Sequence, residues 1–247
     1  MPLKVELHSH SSDDPVDAIP HSARELIDRA AALGYHALAI TLHEKQLDVD
    51  PLRDYASARG ITLIPGVERT IQGKHVLLIN FTAAAEAVTS FADLARLKQR
   101  ERGVVIAPHP FYPYPNCLHG SMDRHATLFD AVEFNAMYAR GADFNRAAVR
   151  WAAKHGKPMV GNGDVHRLVQ LGTTYSLIDA DPDPQSICDA IRESRLEVRT
   201  GPLTWLRTVT LLGDLILQGV VRRTPPRRTG QDLQDVSLAV RPDDQRR

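Results

Sequence analysis

The chain reads as an α/β barrel followed by a helical extension, and three features of its 247 residues predict this. Short apolar runs of strand length alternate six or seven times with longer segments of helical spacing, the pattern of repeated strand–helix units. No Gly-x-Gly-x-x-Gly turn follows the first strand, which removes the main support for an open dinucleotide-binding sheet. Nearly every predicted strand ends in a side chain able to ligate metal, as expected where the strand ends of a parallel barrel converge on one face.

The first strand is the run Leu3-Lys4-Val5-Glu6-Leu7, leading into His8-Ser9-His10-Ser11-Ser12-Asp13-Asp14. Ser22 to Leu33 has helical spacing, with Ser22 as N-cap, Glu25 three residues on and Gly34 as the stop. His36 to Thr41 is a buried-type strand ending at Leu42-His43-Glu44, and Asp50 to Arg59 is a second helix closed by Gly60. Ile61 to Glu68 is a third strand, joined by a turn at Gln72-Gly73-Lys74 to a strand over His75 to Phe81. Ala84 to Glu101 is helical with a restart near Thr89-Ser90, and Gly103 to Ala107 is a strand running into Pro108-His109-Pro110. Phe111 to Arg124 reads as a long proline- and aromatic-rich loop. A strand at Asp130 to Phe134, a helix at Ala142 to His155 and a strand at Pro158 to Gly161 follow, the last leading to Asn162-Gly163-Asp164-Val165-His166. Thr173 to Ile178 and Glu197 to Thr200 are short strands around a helix at Pro184 to Ser194. The barrel accounts for 1–202, a helix with membrane-surface or packing potential for 203–221, and a basic, polar tail expected to be disordered for 222–247.

Composition narrows the function classes. Lys+Arg and Asp+Glu balance at 30 each, which argues against a dedicated binder of long nucleic acid. Two cysteines are too few for a disulfide framework and point to a reducing compartment. Met1-Pro2-Leu3-Lys4 runs straight into the first strand without a signal peptide, and no run of about 20 apolar residues provides a transmembrane segment, so a cytoplasmic enzyme is expected. Oligomeric state is not legible.

The 11 histidines carry the chemistry. His8 and His10, at i and i+2 of an extended chain, point to one side and can reach one ion. His43, Glu68, His109, Asp164 and His166 also stand at strand ends, and His75 opens the strand after Glu68. Singly, each is as readily a capping or surface residue; as a set they are not. His21, His36, His119, His125 and His155 lack this context, and His155 is placed to interact with a helix C-terminus.

In order, His8-Ser9-His10, Ile40-Thr41-Leu42-His43, Gly66-Val67-Glu68, His75, Ala107-Pro108-His109-Pro110 and Gly161-Asn162-Gly163-Asp164-Val165-His166 resemble the PHP (polymerase and histidinol phosphatase) family. The resemblance runs from about residue 3 to about 201 and implies a distorted (β/α)7 barrel holding two or three divalent ions of zinc, manganese, iron or magnesium type. It implies one ion on His8, His10, Glu68 and Asp164, and a second on Glu68, His75 and His109. A third would sit on an early aspartate with His43 and His166. Asp14 and Asp17 fit that aspartate equally, with Asp13 behind them. One departure is Leu42, where the family has an aspartate before the histidine; this affects support of the site more than ligation.

Most characterised members of that family hydrolyse phosphoesters. Closely spaced ions bridged by Glu68 would make a bridging hydroxide available near neutral pH and offset charge on a phosphoryl group. The expected substrate is a small phosphorylated metabolite or nucleotide. Arg69, Arg140 and Arg167 are candidate phosphate-binding guanidiniums, Arg167 and Arg140 ahead, and His166 or His43 could serve as general acid. Other readings are a histidinol-phosphate-type phosphatase, a non-catalytic metal-binding module, and a metal-dependent amide hydrolase. The carboxylated lysine usual in the last has no clear counterpart here.

Overall fold

The computed structural model describes residues 1–139 and 141–203; Arg140, the helix expected from Leu203 onward and the tail lie outside the described residues, apart from Leu203 itself. Among the described residues nine strands form one sheet: β1 (Leu3–Glu6), β2 (Ala37–Ile40), β3 (Thr62–Ile71), β4 (Lys74–Ile79), β5 (Val104–Ala107), β6 (Ala131–Asn135), β7 (Met159–Asn162), β8 (Thr174–Ile178) and β9 (Leu196–Thr200). Their order is β7-β6-β5-β4-β3-β2-β1-β8-β9. The helices are α1 (Ala23–Ala32), α2 (Arg53–Ser57), α3 (Phe91–Arg100), α4 (Ser121–Arg124), α5 (Asn145–His155) and α6 (Pro184–Arg192).

The sheet curls into a nearly closed barrel because β1 is shared between two partners. Its body pairs antiparallel with β8, while its exit pairs parallel with the exit of β7 through a Ser9–Val165 bridge. Two backbone bonds hold that seam, Val165 N–H to the His8 carbonyl and His10 N–H to the Val165 carbonyl, each 3.1 Å. Lower down, Ser176 Oγ on β8 accepts from Gly161 N–H (2.9 Å) and donates to the Gly161 carbonyl (3.2 Å). The two ends of the chain's metal-type motifs therefore lie side by side.

The pure strand–helix repeat is broken at defined places. β1·β2, β2·β3, β5·β6 and β6·β7 are parallel, but β3·β4, β4·β5 and β8·β9 are antiparallel. The β3–β4 turn at Gln72-Gly73 has positive φ at both positions (50° and 77°), the hairpin geometry that matches strand twist. The expected helix at 50–59 is a 3-10 turn over Asp50–Leu52 followed by the five-residue α2. The restart near Ser90 is a capping box: Ser90 Oγ accepts from Asp93 N–H while Asp93 takes the Ser90 N–H, so α3 begins anew at Phe91. In the proline-rich loop, Ser121–Arg124 forms one short helical turn.

One apolar cluster draws on β1 through β8, including Val5, Ile64, Leu77, Ile106, Ala131 and Val160, and α6 packs against it with Ile187, Cys188 and Ile191. A second places α3 (Phe91, Leu94, Leu97) and α5 (Ala148, Trp151) against β4–β6. These layers leave the strand exits as the polar end of the molecule.

Candidate metal centre

The exits of β1, β2, β5 and β7 bring His8, His10, His43, His109, Asp164 and His166 together around Glu68, which lies within β3 because that strand runs on to Ile71, and β4 adds His75 through its pairing with β3. Two of these exits turn through the left-handed region at non-glycine residues, His109 (φ 29°) and Asp164 (φ 48°). Such backbone is tolerated only where the surroundings hold it, and it is concentrated at functional sites.

Glu68 is the centre and is buried. Its Oε2 lies 3.2 Å from His8 Nε2, 3.1 Å from His43 Nε2 and 3.6 Å from His10 Nε2. Its Oε1 lies 2.7 Å from His75 Nδ1 and 3.4 Å from His109 Nε2. Asp164 Oδ1 closes the other side, 3.3 Å from His8 Nε2, 3.7 Å from His10 Nε2 and 3.3 Å from His166 Nδ1.

The two early aspartates that the sequence leaves open take different places. Asp14 Oδ2 sits between His10 Nδ1 (2.9 Å) and His43 Nδ1 (3.0 Å), and its Oδ1 accepts the Val16 and Asp17 N–H groups, both at 2.8 Å. Its oxygens are thus engaged in orienting rings and a turn. Asp17 Oδ2 instead faces His166 Nε2 at 3.0 Å. Asp13 accepts from Ser11 Oγ, away from the cluster.

Burial opposes charge throughout the cluster, and the neighbours overrule it. Burial would lower His8, but Asp164, Glu133 and Glu68 hold it well above the usual imidazole range. Burial would raise Glu68, but His75, His8 and His43 hold it well below the usual carboxylate range. Asp164 is likewise depressed against burial by His8, His10 and His166. His10 goes the other way, lowered by burial and by His166.

This donor set fits a divalent ion. His10 Nε2 is buried without a hydrogen-bond partner, at a cost of about 1–3 kcal/mol, and Glu68 Oε1 makes no well-aligned hydrogen bond although His75 Nδ1 lies 2.7 Å away. Both residues belong to groups whose donor atoms lie within 4.8 Å of one another: His8, His10 and Glu68; His43, Glu68 and His75; His8, His109 and Asp164; His10, His43 and His166. Mixed imidazole and carboxylate donors suit zinc, manganese or iron.

A family model described as PHP-associated matches residues 142–196. The chain is 30% identical over 145 residues to a 5'-3' exoribonuclease of Haemophilus influenzae, covering 57% of this chain and 50% of that protein, so it spans about half the length of this curated relative. Among solved structures it resembles PsfC from Pseudomonas syringae PB-5123, with a TM-score of 0.63 and 16% identity over 89% of this chain and 98% of that one. It also resembles the lesion-specific endonuclease PfuEndoQ from Pyrococcus furiosus, with a TM-score of 0.54 and 14% identity over 86% of this chain and 66% of that one. The family-model match and these likenesses support a PHP-type domain.

Several residues of this site escape a sequence reading. Glu133 on β6 is fully buried, with its Oε1 2.8 Å from His8 Nδ1. Asn135 and Asn162 donate to Glu133, and Cys117 Sγ lies 3.4 Å from His109 Nδ1. His21 is buried with Nε2 2.9 Å from the His10 carbonyl. The one available signal was a carboxylate inside a strand of otherwise buried residues. Arg69 corrects an expectation: its guanidinium donates to the Val88 and Glu44 carbonyls and pairs with the Glu44 carboxylate, so it serves the fold. Arg167 is half-buried beside His166, its N–H on Gln170 Oε1. His36 and His155 take the structural places expected, His36 Nδ1 accepting from Lys4 N–H and His155 Nδ1 donating to the Trp151 carbonyl. Among the described residues no helix is long and apolar enough to cross a membrane.

Proposed function

We propose that this chain is a metal-dependent hydrolase of phosphoesters whose substrate is a small phosphorylated metabolite or nucleotide. The observation that carries the reading is the convergence of five imidazoles on the two oxygens of buried Glu68, with His10 Nε2 left without a hydrogen-bond partner. His8, His10, Glu68 and Asp164 would hold one ion, Glu68, His75 and His109 a second, and Asp17 with His43 and His166 a third. When bound, such ions supply the Lewis acidity that activates water and offsets charge on phosphoryl oxygens.

The chain's own groups do the rest. Asp14 holds the rings of His10 and His43 by their Nδ1 atoms, which leaves both Nε2 atoms facing Glu68. His166 lies between Asp17 Oδ2, 3.0 Å from its Nε2, and Asp164 Oδ1, 3.3 Å from its Nδ1, which orients its ring for the third ion. Arg167, next in the chain, supplies positive charge for the phosphoryl group. The full donor set favours an enzyme over a non-catalytic module, because a binding module has no need of every ligand.

A second reading, a nucleotide at the end of an oligonucleotide, is favoured by aromatic groups leading away from the cluster. Tyr112 lies 6.3 Å from the His109 ring and 5.3 Å from Phe144, which is 44% exposed, and Tyr114 in the same loop is 47% exposed. Exposed rings stack bases regardless of sequence. The exoribonuclease and endonuclease resemblances point the same way.

The test is to purify the chain with added Mn²⁺ or Zn²⁺ and screen phosphomonoesters including histidinol phosphate, nucleotides and short 5'-phosphorylated oligonucleotides. A His8→Ala, His10→Ala variant is run beside it. Stoichiometric metal with no ester cleaved would overturn the catalytic reading. Turnover that survives the double substitution would overturn the assignment of the site.

A further inference from the structure

Behind the cluster, one carboxylate ties together groups assigned to different ions. Glu133 is fully buried on β6, where a charge is costly unless every lone pair is used. Here they are used. Oε1 lies 2.8 Å from His8 Nδ1 and accepts from Asn162 Nδ2 at 2.9 Å. Oε2 accepts from the His109 backbone N–H at 2.7 Å and from Asn135 Nδ2 at 3.1 Å. Asn135 Nδ2 also reaches Asp164 Oδ2 at 3.2 Å, and Asn162 Oδ1 accepts the Leu7 N–H at 3.2 Å, just before His8.

We propose that Glu133 is a positioning residue that couples two metal positions, fixing the His8 ring for one and the His109 backbone for the other. This rests on the metal reading above. A carboxylate accepts and cannot donate, so His8 keeps a proton at Nδ1 and presents Nε2, 3.2 Å from Glu68 Oε2 and 3.3 Å from Asp164 Oδ1, as the nitrogen that would ligate. The same carboxylate holds the N–H of His109, whose φ of 29° needs support from its surroundings. Asp14 does comparable work for His10 and His43, but it touches nothing on β5, β6 or β7. Cys117 touches only the His109 ring of this set. Glu133 alone among these three reaches both.

Glu133→Gln keeps the shape and replaces one acceptor oxygen by an NH₂, which faces either His8 Nδ1 and Asn162 or His109 N–H and Asn135. The experiment titrates the metal-free wild type, Glu133→Gln and Cys117→Ser with Zn²⁺ against a chromophoric chelator. Melting curves and ¹H–¹⁵N spectra of the histidine rings of the zinc-loaded proteins accompany it. The expected result is a loss of zinc affinity of about 10–100-fold in both binding steps for Glu133→Gln and in one step for Cys117→Ser. In the loaded wild type the proton of His8 is on Nδ1. A Glu133→Gln protein that melts lower but binds zinc as tightly as wild type would overturn the proposal, since a purely structural role predicts that. Loss confined to one step would overturn the coupling. If Glu133→Gln does not fold, the wild-type spectrum decides: a His8 proton on Nε2 overturns the proposal. A wild type that binds no zinc overturns the metal reading itself, and this role with it.

Discussion

Closure of the barrel between β7 and β8 depends on the absence of a side chain at Gly161. A Cβ built there would stand 2.8 Å from the Tyr175 carbonyl oxygen, 2.8 Å from Val198 Cγ1 and 3.1 Å from the Tyr175 carbonyl carbon, where ordinary contact begins at 3.4 Å. The Val198 methyl can rotate away, but the carbonyl cannot, because Tyr175 is paired with Arg199 of β9 and the next residue, Ser176, with Val5 of β1. Either β7 retreats by several tenths of an ångström or Ser176 Oγ loses its two bonds to Gly161. Overpacking of this kind costs about 1–3 kcal/mol, which for a domain of this size lowers Tm by about 2–12 °C. Gly201→Ala is the matched control: no atom of the described residues lies within 4 Å of its Cβ and its φ is not in the left-handed region. It should be neutral or stabilising by up to about 1 kcal/mol through the unfolded chain. Differential scanning calorimetry of the two metal-free variants checks the contrast. Equal melting temperatures, or a Gly161→Ala protein as stable as wild type, would refute the claim that β7 and β8 meet as closely as described.

Asp14→Asn should lower zinc affinity about 10–100-fold while Asp13→Asn leaves it unchanged, because only Asp14 holds the Nδ1 atoms of His10 and His43; chelator competition measures both, and equal effects would refute it. Metal affinity should fall as pH falls, since burial is outweighed at His8, His43, His109 and His166 by their acidic and thiol neighbours, and an ion must displace the protons those raised imidazoles hold. The slope is about tenfold per pH unit for each proton released, read by the same competition at pH 8, 7 and 6, and a flat profile would contradict it. Burial pushes the Cys188 thiol up to about 12, so the folded protein should resist iodoacetamide at that residue at pH 8 while the urea-unfolded chain reacts. Peptide mapping of equal labelling in both states would count against the packing of α6.

What was legible in the sequence and what was not divide along a physical line. The residues at the strand exits stood out because each ends an apolar run, and strand parity alone put His8 and His10 on one side. The Gln72-Gly73 hairpin was legible for the same reason, as a turn whose chemistry is local. The antiparallel pairing of β1 with β8, which lets the exit of β1 swing across to Val165, depends on strand direction and left no local trace. The different places of Asp14 and Asp17 could not be read from spacing, because they turn on which carboxylate the loop's own N–H groups engage. Glu133 shows the limit best. Its neighbours Ala131-Val132 and Phe134-Asn135 announce a strand, and a carboxylate among them is ambiguous between a water-facing edge and a buried partner. Its partner His8 lies 125 residues away, and only the fold states which face of β6 meets the exit of β1. Groups able to bind an ion declare themselves by type and place in the chain, whereas the groups that aim them are ordinary polar residues whose role exists only in three dimensions. A sequence reading of such a site is therefore most complete at its centre and thins outward, toward the residues that fix tautomer, ring angle and affinity.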